Sequence, residues 1–360
     1  MRPRLYQRFI VAFFCSLFII DGSVAVLNFV IDPLQRYRIA TLYKPIFWVG
    51  MQRYQVASLA RLYAQEVVVI GTSTTENFLP SYIEKSWGKR ASKLSISAST
   101  AHEQFLALRL ALQTGRVTDV LWGADFEAFE GPPTRTNDTQ APFPLYMYRT
   151  GIISNFEYLL SLGTTRLSLM IMRHNALSSD LDHYHTWYDR FEFSKKAVLA
   201  GWRGNCGLFE RKYRLHADEA SRAATDSMVA SIDANVLSLA REYPNVKFHL
   251  FFPPYSLLYY VPADAGPLQM VLTFRRILAD VIRDYRNIRL YDFQIVEPIV
   301  ANLDNYKDPF HFGLPTSKHI IDAIENGQNR TDFTEVAAGN QSLIDLVNGF
   351  DLCKDGYYVE

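Results

Sequence analysis

The sequence predicts an α/β protein with a mostly parallel sheet, preceded by a single transmembrane helix. Three observations lead to this class: short apolar runs alternate with amphipathic stretches, residues 1–33 are compositionally distinct, and 49% of the 360 residues are hydrophobic. A chain of this size and composition can bury at least one substantial core. Because ligands of such sheets bind at the carboxyl ends of the strands, functional residues are expected there.

Residues 1–33 are predicted to form an N-terminal signal-anchor helix. Basic residues precede two apolar runs whose combined length reaches the roughly 20 residues that a bilayer requires. The basic residues are Arg2, Arg4 and Arg8, and the apolar runs are Phe9–Ile20 and Val24–Ile31. The predicted location is therefore the inner (cytoplasmic) membrane, with one pass and the remaining chain in the periplasm or outside the cell. A signal peptide cleaved at Ser23-Val24-Ala25 stays open, and Asp21, a carboxylate near mid-membrane, favours it.

The two cysteines beyond the anchor would reach an oxidising compartment after export. Cys206 and Cys353 lack the spacing of a zinc knuckle or a redox Cys-x-x-Cys motif. A single stapling disulfide and two free thiols both remain open.

The charge balance makes nucleic acid an improbable partner. Lys plus Arg equals Asp plus Glu, at 37 each, so the chain has no broad cationic field, and neutral substrates are expected. No cofactor and no metal are predicted. Asp182, His183 and His185 have metal-ligating side chains, but such a group in a Tyr-rich loop is more often a hydrogen-bonded surface.

The main domain is predicted at residues 60–326. Five short apolar runs have the pattern of strands, and four longer stretches have apolar residues at helical spacing. The strands are predicted at Glu66–Gly71, Lys93–Ser97, Val117–Gly123, Val246–Phe252 and Ile288–Asp292, and the helices at Ala101–Thr114, Asp218–Tyr243, Leu268–Tyr285 and Leu314–Asn326.

An insertion is predicted at about residues 131–215, because the alternation of strands and helices lapses there. Its part from Gly151 to His174 is apolar at roughly helical spacing, and we expect it to cover an active site as a lid or to dock on a partner. The C-terminal tail, residues 327–360, has no assignable role.

The first strand is followed by the segment Gly71-Thr72-Ser73-Thr74-Thr75-Glu76-Asn77. Ser73 is thus predicted where a strand ends and a helix begins. A serine there projects from the carboxyl edge of the sheet, and its backbone N–H and the helix dipole can stabilise an oxyanion. Ser and Thr are also ordinary helix N-caps, so this segment alone favours a cap over a nucleophile.

A second polar motif, Asn305-Tyr-Lys-Asp308-Pro309-Phe310-His311, follows the last strand. Asp308 and His311 share one turn, so the carboxylate can hold the imidazole in one tautomer while its other nitrogen faces a serine hydroxyl. An isolated Asp-x-x-His is usually a cap beside a packed histidine. Together with Ser73, the motif predicts a serine nucleophile that loses its proton to His311.

The order of these parts resembles the SGNH (GDSL-like) hydrolase superfamily over roughly Glu66 to Asn326, the insertion excepted. It is most similar to the membrane-anchored extracytoplasmic branch that includes DltD-like and alginate-acetylation (AlgJ/AlgX-like) proteins, which Asn28-Phe-Val-Ile-Asp32-Pro33 also resembles. The resemblance implies a flavodoxin-like three-layer α/β/α sandwich. It also implies that Ser73 is the nucleophile, His311 the general base and Asp308 its orienting carboxylate.

In that superfamily, a Gly after the second strand and an Asn after the third supply oxyanion donors, and this chain departs at both places. It has Ser95-Ile-Ser97-Ala98-Ser99 at the first place and Gly123-Ala124-Asp125-Phe126 at the second. A backbone N–H of Ala98 or Ser99 can replace that of Gly. An ionised carboxylate would repel an oxyanion, so Asp125 is expected to be protonated, turned away or engaged elsewhere, for example with a sugar hydroxyl. The predicted oxyanion and substrate pocket comprises Ala98, Ser99, Asp125 and Asn77.

Three functions fit these observations. The first is a serine esterase or O-acyltransferase, chiefly for O-acetyl groups, that acts on cell-envelope or extracellular polysaccharide through an acyl-serine; the polysaccharide is implied by the resemblance. The second is a catalytically impaired relative that binds glycan or docks a membrane-bound acyl-donor protein, which Asp125 favours. The third is a lipid or phosphate-ester hydrolase. A phosphatase should show metal ligands or an Arg cluster around the serine, and Gly71–Asn77 shows neither.

Overall fold

The structure is a computed structural model that describes residues 3–48, 50–139, 141–173, 180–202, 206–209, 222–261 and 266–354. At its centre is a six-stranded sheet with the order β2-β1-β3-β4-β5-β6, parallel except for the last strand. The strands are β1 (Val67–Ile70), β2 (Ala91–Lys93), β3 (Asp119–Gly123), β4 (Lys247–Phe252), β5 (Ile288–Asp292) and β6 (Arg330–Thr331). The predicted α/β class and mostly parallel sheet are confirmed.

Helices cover both faces of this sheet. The α-helices are α1 (Pro3–Ile31), α2 (Gln52–Leu62), α3 (Pro80–Trp87), α4 (Ala101–Leu112), α5 (Phe126–Phe129), α6 (Leu145–Tyr148), α7 (Ile152–Leu159), α8 (Leu162–Arg173), α9 (Lys195–Gly201), α10 (Arg222–Ile232), α11 (Ser238–Glu242), α12 (Gly266–Ile282), α13 (Glu297–Val300), α14 (Leu314–Glu325) and α15 (Phe333–Gly349). One face packs against α2, α4, α10, α12 and α15, and the other against α3, α9 and α14. The result is the three-layer α/β/α sandwich.

Strand β1 shows how the sequence produces these layers. Its four residues are fully buried, and alternate side chains enter opposite cores: Val68 and Ile70 the first, Val67 and Val69 the second. A strand buried on both faces reads as a continuous apolar run rather than an alternating one. Full burial of each such side chain stabilises the fold by about 1.5–3 kcal/mol.

Three predictions differ from the structure. The strand expected at Lys93–Ser97 overlaps β2, Ala91–Lys93, only at Lys93. The helix expected at Asp218–Tyr243 is interrupted by a π-helical turn, Asp233–Leu237, between α10 and α11; residues 218–221 lie outside the described part. The tail without an assigned role contributes β6, antiparallel to β5, and α15, whose Val336 and Leu343 are buried in the first core. A strand of two residues is too short to produce a periodic sequence signal.

The N-terminal helix is joined to the domain rather than merely tethered to it. Within α1, Tyr6–Ile31 is long and apolar enough to cross a membrane. Directly after it, the Asp32 carboxylate accepts hydrogen bonds from the N–H groups of Arg36 and Tyr37 and from the Tyr158 hydroxyl. Cys206 and Cys353, which are 147 residues apart in the sequence, form a disulfide, the first of the two alternatives.

Candidate active site

Ser73 lies directly beyond the carboxyl end of β1. It begins a single 3₁₀ turn, Ser73–Thr75, whereas α3 begins only at Pro80. A helix thus begins at Ser73, as expected, but a single 3₁₀ turn aligns few peptide dipoles and contributes little macrodipole. Gly71 is required here, because a Cβ at this φ of +154° would lie 2.7 Å from Cγ2 of Thr75.

The structure brings Ser73, His311 and Asp308 together in hydrogen-bond contact. Oγ of Ser73 is 2.8 Å from Nε2 of His311, and Nδ1 of His311 is 2.8 Å from Oδ2 of Asp308. Ser73 is 8% exposed, so its hydroxyl is enclosed but open to a cavity. This geometry allows proton transfer from the hydroxyl to an imidazole whose orientation the carboxylate fixes.

Asp308 also shapes the turn that carries His311. Its Oδ1 accepts the backbone N–H groups of Phe310 at 2.9 Å and of His311 at 2.8 Å. An isolated antiparallel β-bridge between Tyr306 and Phe312 closes the base of the turn. Aspartate side chains commonly stabilise turns in this way, and here the same carboxylate also orients the imidazole.

Electrostatics keep the Asp308 carboxyl ionised. Burial by itself would raise the pKa of Asp308, but hydrogen bonds from His311, Lys307 and the Phe310 N–H outweigh burial and hold the pKa well below its usual range. An ionised carboxylate is the form that stabilises a protonated imidazole during acyl transfer.

Trp187 contacts the imidazole and was not identified from the sequence. Its ring stacks on that of His311 with centroids 4.9 Å apart, and Nζ of Lys307 lies 4.0 Å from the Trp187 centroid. The same ammonium group is 2.7 Å from Oδ2 of Asp308. Trp187 lies in the Tyr-rich loop that also contains Asp182, His183 and His185. This loop has no periodic pattern, so no feature of the sequence placed Trp187 at the site. The imidazole is thus held by a ring face and by a carboxylate.

Asp125 is engaged elsewhere, one of the three alternatives considered for it. Its Oδ2 accepts hydrogen bonds from the Thr72 hydroxyl at 2.5 Å and the Thr74 hydroxyl at 2.9 Å, and its Oδ1 accepts one from Tyr255 at 2.7 Å. Burial raises the pKa of Asp125, although these three donors oppose the rise. Its side chain therefore supports the nucleophile loop and presents no unpaired charge beside Ser73.

The two predicted backbone donors differ in availability. The N–H of Ser99 donates to the Ile96 carbonyl, whereas within the described residues the N–H groups of Ala98 and Ser73 have no acceptor. Ala98 is left-handed, with φ of 50°, which costs an L-residue roughly 1–2 kcal/mol. Ala98 and Ser73 are therefore the candidate oxyanion donors, and Ser99 is not.

Two side chains hold Ala98 in this conformation, and sequence reasoning missed both. Its carbonyl accepts hydrogen bonds from Nη2 of Arg53 at 3.1 Å and Nδ2 of Asn137 at 2.8 Å. The fully buried Glu103 in turn contacts both residues, through the Arg53 guanidinium and the Asn137 N–H. Strained residues persist where the surroundings fix them, and they cluster at functional sites.

Asn77 does not belong to the substrate pocket, which corrects the prediction for it. Its Nδ2 donates to the Phe312 carbonyl, and its Oδ1 accepts the N–H groups of Trp187 and Tyr188. Through these three hydrogen bonds, Asn77 joins the nucleophile loop to the His311 turn and to the insertion.

A cavity of about 500 Å³ opens beside Ser73 and His311. Its other lining residues are Thr72, Ala98, Ser99, Asp125, Phe126, Glu127, Ala128, Glu130, Arg135, Asn137, Tyr259, Pro267, Met270 and Phe310. A second cavity of about 410 Å³ shares Ala98 and Asn137 with the first and is lined also by Tyr54, Glu76 and Trp187. The segment expected as a lid lines neither cavity; its described part, residues 151–173, packs against α1.

The other candidates have structural partners. Asp182 accepts the N–H of Ser81, His183 contacts Asp180, and His185 contacts the Trp48 carbonyl. Within the described ranges, no group of three or more His, Cys, Asp or Glu could hold a metal ion.

The comparisons with known proteins give distant similarity to solved structures. No family model matches the chain, and no curated protein matches it. Among solved structures, a chain from Streptococcus pneumonia described as "a putative platelet activating factor" matches at 9% identity and a TM-score of 0.40, over 77% of this chain and 90% of that chain.

Proposed function

We propose that the protein is a serine esterase or O-acyltransferase that transfers a small acyl group, chiefly acetyl, to or from cell-envelope or extracellular polysaccharide. The observation that carries this proposal is the contact chain from Ser73 through His311 to Asp308, at distances of 2.8 Å and 2.8 Å, at the mouth of a cavity. The basic residues Arg2, Arg4 and Arg8 ahead of the apolar helix support an active site outside the cytoplasm, beside the inner membrane.

The reaction follows from the donors and acceptors in the site. Nε2 of His311 accepts the hydroxyl proton as Oγ of Ser73 bonds to the ester carbonyl carbon, and the N–H groups of Ser73 and Ala98 receive the oxyanion. As the ester C–O bond breaks, His311 returns the proton to the leaving alkoxide. Water or a sugar hydroxyl then attacks the acyl-serine by the same steps in reverse, and free Ser73 is restored.

The second cavity supports an acceptor larger than water. It adjoins the first cavity at Ala98 and contains two aromatic side chains, Tyr54 and Trp187, beside polar groups such as Glu76. Aromatic faces with adjacent hydrogen-bonding groups suit the apolar faces and hydroxyls of a sugar ring. This arrangement favours transfer to a glycan over hydrolysis alone.

The first experiment measures p-nitrophenyl acetate hydrolysis by the detergent-solubilised full chain and by its Ser73→Ala and His311→Ala variants. Loss of a triad member should lower kcat by at least about a thousandfold. The matched control is Ser81→Ala, an exposed serine on α3, which should keep the wild-type rate. If all four folded proteins are equally inert, with rates no higher than that of buffer alone, catalysis on this ester is excluded and the glycan-binding or docking alternative is left.

A second experiment separates transfer from hydrolysis. Quenched reactions should show one acetyl group on Ser73 by peptide mass spectrometry, and an added oligosaccharide should become acetylated at the expense of free acetate. An enzyme that forms the acyl-serine but gives only free acetate with every oligosaccharide tested would be an esterase. That result would contradict transfer to a sugar bound in the second cavity.

A further inference from the structure

Helices α7 and α8 of the insertion have an exposed apolar face. Ile152 is 75% exposed, Ile153 77%, Phe156 57% and Leu162 88%. The α7 side chains among these recur at helical spacing, opposite the buried Ser154 and Tyr158. A contiguous apolar surface of this kind usually marks a contact with another molecule or with a membrane.

These two helices are fastened to the end of α1 by one buried side chain. Nδ2 of Asn28 donates to the Leu159 carbonyl and the Thr165 hydroxyl, both at 2.8 Å, and Oδ1 of Asn28 accepts from Ser168 at 2.8 Å. Asn28 has no exposed surface. The helix pair and the last turns of α1 therefore form one packed unit.

The length of α1 sets the depth of this unit relative to a bilayer. The apolar segment Tyr6–Ile31 has 26 residues. It is about 39 Å long at about 1.5 Å per residue, more than the roughly 30 Å of a hydrocarbon core. Its end, where Asn28 lies, must therefore reach the lipid–water boundary, and the helices packed there must lie at the same depth.

The charges on the unit suit that boundary. Arg166 and Arg173 are exposed on α8, and Glu157 is the one exposed acid within α7 and α8. Arg38 donates to the Phe29 and Val30 carbonyls at the end of α1, and its guanidinium lies 5.0 Å from the Phe29 centroid. Arginines beside exposed apolar side chains are typical of helices that lie in the plane of an interface.

We propose that the exposed face of α7 and α8 is embedded in the lipid–water interface of the membrane that α1 crosses. The occupant of this face is lipid, with headgroup phosphates at the arginines and acyl chains at Ile153, Phe156 and Leu162. The domain is thereby held at a fixed height above the bilayer. It also cannot rotate about the axis of α1, because the helix pair beside α1 is in contact with the same leaflet.

The test uses the full chain in lipid nanodiscs of phosphatidylcholine and phosphatidylglycerol that contain spin-labelled lipid. In a Cys15→Ser background, the two remaining cysteines form the disulfide, so an introduced cysteine alone carries a fluorophore. Test positions are Ile153 and Leu162. Phe18 in α1 is the bilayer reference, and Asp284, whose side chain is 87% exposed, is the aqueous reference.

Labels at Ile153, Leu162 and Phe18 should emit at shorter wavelength and be quenched at least about twofold more than the label at Asp284. Emission at Ile153 and Leu162 equal to that at Asp284 would overturn the proposal, as would an unquenched label at Phe18. Shielding of Ile153 and Leu162 in native membranes but not in the protein-free lipid of the nanodiscs would also overturn it, and would identify a protein as the occupant.

Discussion

Ser73 lies between two aspartates that the protein treats in opposite ways. On one side, the Asp308 carboxylate is 36% exposed, contacts His311 and Lys307, and has a lowered pKa. On the other side, Asp125 is buried, accepts three hydroxyl hydrogen bonds and has a raised pKa. The role of a carboxyl group thus follows from its donors and its solvent access, so each side should fail differently when altered.

The largest effect is expected for Asp308→Asn. An amide in place of the carboxylate leaves the His311 tautomer and the developing imidazolium without support, so kcat for p-nitrophenyl acetate should fall by about 10⁴-fold while the fold is retained. The matched control is Asp304→Asn, an exposed acid near the same turn, which should change the rate by no more than about twofold. A folded Asp308→Asn variant with near-normal kcat would show that the carboxylate does not assist His311.

Asp125→Ala should have the opposite profile, with a loss of stability rather than of chemistry. Three hydroxyls, from Thr72, Thr74 and Tyr255, would lose their acceptor, which should lower the free energy of unfolding by about 2–4 kcal/mol. Urea denaturation measures this change, and kcat per folded molecule should fall far less than in Asp308→Asn. Asp125→Asn keeps an acceptor oxygen and should be milder. A stable but inactive Asp125→Ala protein would place this residue in the chemistry.

The order of the motifs along the chain predicted the contact of Ser73 with His311 and Asp308, but not the hydrogen bonds of Asp125. Ser73 follows β1, and Asp308 and His311 lie between β5 and α14; since the carboxyl ends of parallel strands meet at one edge, the predicted sheet places both segments on that edge. The partners of Asp125 could not be inferred in this way, because hydroxyl orientation depends on packing. Trp187 also escaped prediction, because it lies in an insertion without periodic pattern.

The elements of the fold likewise fall into those that the sequence predicted and those that it did not. Four of the five predicted strands coincide with β1, β3, β4 and β5, because their buried apolar runs have a strong signal. The second predicted strand overlaps β2 only at Lys93, and the two-residue β6 has no signal. The sequence also could not predict that Asn77 joins separate loops, because its partners, such as the Phe312 carbonyl, are backbone groups remote along the chain.

A second buried carboxyl group, that of Glu76, lies three residues after Ser73. It predicts that the free energy of unfolding depends on pH. Burial raises the pKa of Glu76 to about 7, against hydrogen bonding from Gln52 and the charge of Lys93. Because the folded-state value lies above the ordinary 4.5, the stabilising contribution is full below pH 4.5 and is lost as the pH rises through 7.

The Glu76 contribution to the free energy of unfolding should accordingly decrease between pH 4.5 and pH 7 by up to about 3 kcal/mol. Burial lowers the pKa of His185 to about 4, which gives a slope of opposite sign over much of this window, so the difference between wild type and Glu76→Gln isolates the contribution of Glu76. Chemical denaturation at a series of pH values measures both. Lys93, whose pKa burial lowers to about 7, contributes mainly above that window. Identical slopes in wild type and Glu76→Gln would show that Glu76 does not titrate there.

The smallest effect is expected for substitution of Trp187. This residue stacks on His311 and also lines the second cavity. Ring stacking is worth about 0.5–1.5 kcal/mol, so Trp187→Leu should lower kcat by roughly tenfold, and Trp187→Phe, which keeps a stacking face, by less. For p-nitrophenyl acetate, KM should stay unchanged, because Trp187 does not line the first cavity. With a sugar acceptor, the concentration for half-maximal transfer should rise as well. A raised KM for p-nitrophenyl acetate with normal kcat would instead mean that Trp187 binds the acyl donor and leaves the imidazole to Asp308 alone.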